Sequence, residues 1–228
     1  MENFDYIKRN LDSLTEEIVD YESRLKRKIT LVAVTKSGTD DELCALVRAG
    51  ADNIGENRPG ELARRGKLLM ERGLSASLHE IGNLQRNKVK LIIRDTSLIH
   101  SLGSLSLAEE IERQAAKINR RIPVLIEINS GKEENKGGII PEDAESFLLS
   151  LRPFEHLSVQ GLMTMGPVCE PEEARQYFRL TREIFERLGE KHGYDGDGIL
   201  SMGMSDSYKV AIEEGSTLVR VGRRLFVK

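Results

Sequence analysis

Apolar residues recur at helical spacing where the chain begins, at Phe4, Ile7, Leu11, Leu14, Ile18, Tyr21 and Leu25. This pattern predicts an amphipathic helix from about Asn3 to Lys26. From residue 29 onward the pattern changes to short apolar runs alternating with helical stretches. Strands are predicted near 29–35, 52–55, 78–82, 97–100, 122–129, 157–163, 198–202 and 217–221. Helices are predicted between them, at about 40–49, 57–71, 84–92, 104–119, 141–151, 171–191 and 206–214. Gly50, Gly73 and Gly215 follow three of these as C-cap glycines.

The alternation runs through the chain with no Pro/Gly/Ser-rich linker, so residues 1–228 are read as one domain. Eight β/α alternations favour an α/β fold of the closed (β/α)8 TIM-type barrel over an open doubly wound sheet. The chain stops at Lys228, too soon for a helix after the eighth strand. The extra N-terminal helix is expected to fill that gap in the outer ring.

A chain of 228 residues suits a single barrel. Lys plus Arg total 34 against 37 Asp plus Glu, for a net charge of −3. No global basic field recruits nucleic acid, and no nucleic-acid partner is expected. Cys44 and Cys169 match neither a zinc spacing nor a disulfide framework, which suits a reducing compartment. The N-terminus carries acid and no apolar core, and no apolar run approaches about 18 residues. A soluble, cytoplasmic protein that acts as a monomer without a membrane is expected.

Within that frame Lys36 stands out, because Ile29-Thr30-Leu31-Val32-Ala33-Val34-Thr35 delivers it at the carboxyl end of a buried strand. Ligands collect at that end of parallel sheets. Its ε-amine can form a Schiff base with an aldehyde if desolvation or nearby positive charge exposes the neutral nucleophile. A solvated loop lysine is the plain alternative.

The last two strand ends suit a phosphate. Ser205 offers a hydroxyl before the helix at 206–214, and Gly222 lets its own N–H and that of Arg223 approach an anion. Alternatively, this run is a strand-to-helix turn with Asp206 as N-cap. Arg220 shares parity with Leu218 and Gly222 and should point inward. There it meets either an unprotonated pyridine nitrogen, which would weaken the ring as an electron sink, or an acid in a structural ion pair. His79 reads as a satisfied structural histidine sooner than a catalyst, and His100, His156 and His192 read as incidental.

Taken together, Val34-Thr35-Lys36, Ile54-Gly55-Glu56-Asn57, His79 through Lys88, Asn129 through Gly137, Gly161-Leu162-Met163, Ser201 through Asp206 and Gly215 through Gly222 resemble the pyridoxal phosphate homeostasis (YggS/PROSC) family. The resemblance covers nearly the whole chain. It implies a barrel similar to the N-terminal domain of alanine racemase, with pyridoxal 5′-phosphate held as a Schiff base on Lys36. It further implies that Ser205, Gly222 and Arg223 hold the phosphate, that Arg220 meets the ring nitrogen, and that Asn57, His79 and Met204 line the pocket. Three positions depart from the family pattern. Gly38 stands where a second lysine is common, Arg58 where a tyrosine is common, and Arg223 where a small hydroxyl residue is common.

The implied function is storage or delivery of the cofactor to recipient apoenzymes, without robust catalysis. A slow pyridoxal phosphate-dependent amino-acid racemase is the alternative. Two-base racemisation needs a second acid/base facing Lys36, and none of Tyr6, Tyr21, Tyr177, Tyr194 or Tyr208 stands at a predicted strand end.

Overall fold

The computed structural model describes residues 4–228, so the predicted helix start at Asn3 lies outside the described residues. Eight parallel strands close into a barrel: β1 (Thr30–Val34), β2 (Asn53–Glu56), β3 (Ser77–Glu80), β4 (Thr96–Leu102), β5 (Ile122–Glu127), β6 (Leu157–Met163), β7 (Ile199–Ser201) and β8 (Leu218–Val221). Strand β8 returns to β1 in the register Val32↔Arg220, which completes the closure and leaves no sheet edge. The predicted strand order and the closed barrel are both present.

The outer ring carries α1 (Asp5–Leu25), α2 (Asp40–Arg48), α3 (Pro59–Glu71), α4 (Val89–Ile92), α5 (Leu105–Ala116), α6 (Ala144–Ser150), α7 (Pro171–His192) and α8 (Tyr208–Glu213). Local chemistry sets several starts. Thr39 and Glu42 form a reciprocal capping box at α2, and Pro59 and Pro171 occupy first turns where a missing N–H costs nothing. Three predicted helices are clearly shorter than their patterns, the one at 141–151 opening as a 3-10 turn at Pro141–Asp143. The stretch near 84–92 begins as a 3-10 turn at Arg86–Lys88, and α8 begins at Tyr208, after a turn, not at residue 206.

Helix α1 fills the expected gap. Ile7, Leu11, Leu14 and Ile18 are each 5 % exposed or less, and each such burial contributes roughly 1.5–3 kcal/mol as an upper estimate. Polar contacts then fix its register against the chain end. Glu17 accepts hydrogen bonds from Arg224 and Tyr208, both at 2.5 Å, and pairs with Lys209 at 2.9 Å. The Arg224 hydrogen bond leads in pulling the Glu17 carboxyl down to about 2. Asn10 donates to the Val227 carbonyl at 2.8 Å.

The apolar core divides in two. One part lies between barrel and helices, and a smaller one, Val32, Leu98, Leu125, Met163 and Leu218, comes from five strands and plugs the barrel. Gly161 lets β6 approach β7, since its φ is +145° and a Cβ there would fall 2.0 Å from the Ile199 carbonyl oxygen. Among the described residues no helix is long and apolar enough to cross a membrane.

Candidate functional site at the barrel mouth

Lys36 stands exposed just beyond β1, in a turn closed by a 2.9 Å hydrogen bond from the Gly38 N–H to the Thr35 carbonyl. It is not desolvated. It lines a cavity of about 400 Å³ together with Ser37, Glu56, Asn57, Arg58, Glu61 and Arg65.

Arg65 is the residue that holds this turn. From α3 it donates to the Thr35 carbonyl and to the Gly38 carbonyl, each at 2.6 Å, so it grips the chain on both sides of Lys36. The same guanidinium pairs with Glu56, whose carboxylate also accepts the Thr35 hydroxyl at 2.5 Å. Both side chains are buried. Nothing along the chain singles out Arg65, because an arginine inside an amphipathic helix carries no signal of what lies two elements away.

The phosphate-suited loops meet. Ser205 accepts the Gly222 N–H at 3.2 Å, so that N–H, expected to face an anion, is turned to the serine hydroxyl instead, and the Arg223 guanidinium pairs with Asp206 across the loops. Asp206 is not the N-cap of α8, a role that falls to Ser207, so the plain capping alternative does not hold. The N–H groups of Ser207 and Tyr208 both donate to the Met204 carbonyl, at 3.0 and 2.8 Å. Those of Ser205, Asp206 and Arg223 have no backbone acceptor among the described residues. Gly222 has a second reason to be glycine, since a Cβ would lie 2.8 Å from the Val34 carbonyl oxygen. Met204 and Asn57 are exposed at the mouth.

Arg220 points inward and is 3 % exposed. No acid stands within ion-pair distance of it among the described residues, so the structural ion-pair alternative does not hold either. It donates to the Ser201 hydroxyl at 2.5 Å and to the Thr164 carbonyl at 3.0 Å. Burial lowers its pKa to about 10, with Glu127 opposing through space.

His79 is buried, its Nδ1 2.9 Å from His100 Nε2, and burial brings it down to about 4. It is therefore a satisfied, neutral histidine, as expected, lying below the mouth cavities. The reading of His100 as incidental is corrected: it is fully buried and bonded to both His79 and Ser201. His156 and His192 also have partners, Glu112 and Glu145, because the barrel brings together helices and loops distant in sequence.

A second cavity, of about 220 Å³, opens between the ends of β3, β5 and β6, lined in part by Ile81, Glu127, Ser130, Lys136 and Met165. Glu127 shares parity with Leu125 and faces inward, and burial raises its pKa. The departures also acquire surroundings. Gly38 is buried, and a Cβ there would lie 2.6 Å from the Phe226 ring, so a lysine would fit only if that ring moved. Arg58 is exposed on the rim of the Lys36 cavity.

Fold and site define a (β/α)8 barrel with a strand-end lysine, paired anion-suited loops and a buried arginine. The family model described as alanine racemase, N-terminal domain, matches residues 9–227. A pyridoxal phosphate homeostasis protein of Aquifex aeolicus is 40 % identical over 197 residues, covering 86 % of this chain and 85 % of that protein. One of Helicobacter pylori is 31 % identical over 224 residues, covering 96 % and 97 %. The solved structure of PipY from Synechococcus elongatus with PLP bound is 27 % identical with a TM-score of 0.84, covering 97 % of this chain and all of that one. The chain belongs to the pyridoxal phosphate homeostasis (YggS/PROSC) family, within the alanine racemase N-terminal-domain class of barrels.

Proposed function

We propose that this protein binds pyridoxal 5′-phosphate as a Schiff base on Lys36 and serves intracellular cofactor homeostasis, by storage or delivery to apoenzymes, without robust turnover. The observation that carries this reading is the placement of Lys36 just beyond β1, the strand that pairs with β8, near the Ser205–Gly222 contact, with three backbone N–H groups left for an anion. Ser205, Gly222 and Arg223 would hold the phosphate, and Arg220 would face the ring nitrogen. Asn57 and Met204 would border the ligand, with His79 beneath. When bound, the cofactor supplies an aldehyde for the lysine and an aromatic ring that can accept electrons. Arg220, a donor that stays charged, would keep the ring nitrogen unprotonated and that electron sink weak.

The protein would work as a single barrel domain and a monomer. Relatives bear the name of cofactor homeostasis, in keeping with a carrier. A slow racemase is the second reading, favoured by one observation: Glu127 is an inward carboxyl with a raised pKa at the mouth, where a second acid/base would stand. The tyrosine hydroxyls with assigned partners are engaged elsewhere, Tyr6 by Glu42, Tyr194 by the Phe185 carbonyl and Tyr208 by Glu17.

Purified protein mixed with pyridoxal phosphate is expected to develop Schiff-base absorbance, and Lys36→Ala is expected to lose it. Equal absorbance in the variant would remove Lys36 from its role. Turnover of either alanine enantiomer at an ordinary enzyme rate would replace the carrier reading with the racemase one.

A further inference from the structure

Inside the barrel a row of polar side chains crosses from β8 to β2, and one assignment of its hydrogen bonds gives every member a partner. A guanidinium has no acceptor, so Arg220 donates to Ser201 Oγ, at 2.5 Å. In that assignment the serine hydroxyl gives its own proton to His100 Nδ1, 3.0 Å away. That leaves the His100 proton on Nε2, which faces His79 Nδ1 at 2.9 Å. His79 in turn carries its proton on Nε2 and donates to the Asn53 amide oxygen at 3.2 Å. Each group gives one proton away from the arginine, and the amide oxygen ends the row.

Reversing the row would set the His79 Nε2 lone pair against the Asn53 oxygen, which repels it. Charging His79 would break it too, because the added proton on its Nδ1 would face the His100 Nε2–H. The surroundings disfavour such a charge. Arg220 is faced by His100 from β4, Glu127 from β5, Thr164 beyond β6 and Ser201 from β7, while the ring nitrogens of His79 meet Asn53 and His100. Neither His79 nor His100 has a carboxylate within ion-pair distance among the described residues. Burial and the Arg220 charge hold His100 far below its ordinary value.

We propose that Ser201, His100 and His79 form a one-way relay of neutral hydrogen bonds that fixes the Arg220 guanidinium in one orientation and aims its unused N–H groups at an unprotonated aromatic ring nitrogen of the bound ligand. The ligand side of this proposal rests on the cofactor reading above. The three are positioning residues: they act on the ligand only through Arg220. With two of its five N–H groups held by Ser201 and Thr164, the guanidinium has three left. Because the relay ends on an amide, it delivers no proton from solvent, and the ring nitrogen stays unprotonated when the medium is acidified.

Nitrogen-15 NMR of the histidines in the cofactor-free protein tests the relay by itself. Both buried rings are expected as neutral Nε2–H tautomers that do not titrate between about pH 5 and pH 9. An Nδ1–H tautomer at His100, or titration of either ring in that range, would overturn the relay. Ring-labelled pyridoxal phosphate tests its consequence. The bound ring nitrogen is expected to give an unprotonated signal in the native protein. In Ser201→Ala that signal should move and the cofactor should bind about tenfold more weakly, while Ser201→Thr, which keeps the hydroxyl, should restore both. An unchanged ring-nitrogen signal and affinity in Ser201→Ala would reject the relay while leaving Lys36 attachment intact. Failure of the native protein to bind the cofactor would reject the cofactor reading, with the histidine tautomers still deciding the relay. If Ser201→Ala does not fold, the native tautomers decide it.

Discussion

Arg65→Ala is expected to lower the stability of the protein by about 3–5 kcal/mol, because it leaves the Glu56 carboxylate buried without its cation. Three contacts disappear at once. Glu56 loses its ion pair, and the Thr35 and Gly38 carbonyls lose donors that stood at 2.6 Å. For a chain of this length the loss corresponds to a fall in Tm of roughly 6–20 °C. The turn between those carbonyls carries Lys36, so cofactor attachment should weaken even at temperatures where the variant is folded. The double variant Arg65→Ala with Glu56→Gln separates charge from packing. It should recover much of the stability, since the unpaired charge is gone, but not the grip on the Lys36 turn. Urea unfolding checks the first statement and cofactor titration the second. A loss below about 1 kcal/mol in Arg65→Ala would show that the pair is not the brace its geometry suggests.

Glu80→Gln is expected to stabilise the protein, and by an amount that grows with pH. Glu80 is fully buried, one carboxyl oxygen accepting the Gly82 N–H at 2.9 Å and the other without a partner. Burial, aided by the neighbouring Glu56 charge, raises its pKa from 4.5 to about 8. The folded protein thus keeps this proton over a range in which the unfolded chain has lost it. Where the folded state holds more protons, stability falls as pH rises. Glu80 therefore costs nothing below about pH 4.5, costs more through neutrality, and reaches its full cost near pH 8. Glutamine removes the titration and keeps the Gly82 acceptor, at the expense of an unpaired amide N–H. The net gain should be about 2–3 kcal/mol at pH 8 and close to nothing at pH 4. Parallel unfolding curves for native and variant protein at the two pH values would contradict this account.

Part of the site was legible along the chain. Lys36, Ser205, Gly222 and Arg220 follow or sit in strands whose apolar runs are unmistakable, and the strand parity that turns Arg220 inward is a local property of extended backbone. The gap-filling role of the opening helix was legible too, because the alternation leaves one place in the ring without a helix. Arg65, His100, Ser201 and Glu80 were not legible in their roles. An arginine in a helix or a histidine in a strand has the same local pattern whether it faces water or a buried partner. Asp206 misled for a related reason: acid before a helical run signals a cap, but the turn at 205–207 moved the helix start to Tyr208 and left Asp206 to Arg223.

By itself the sequence determined the eight strands, their order in a closed barrel and the face on which polar strand ends gather. Those follow from periodicity and from the short reach of each connection, which are properties of neighbours along the chain. Only the tertiary structure decided that Arg65 grips both sides of the Lys36 turn, that Arg220 is held by the Ser201 hydroxyl and the Thr164 carbonyl, and that Glu80 is stranded beside Glu56. Barrel closure and helix packing create these contacts between distant residues. Burial then makes each hydrogen bond or unpaired charge count for far more than it would in water.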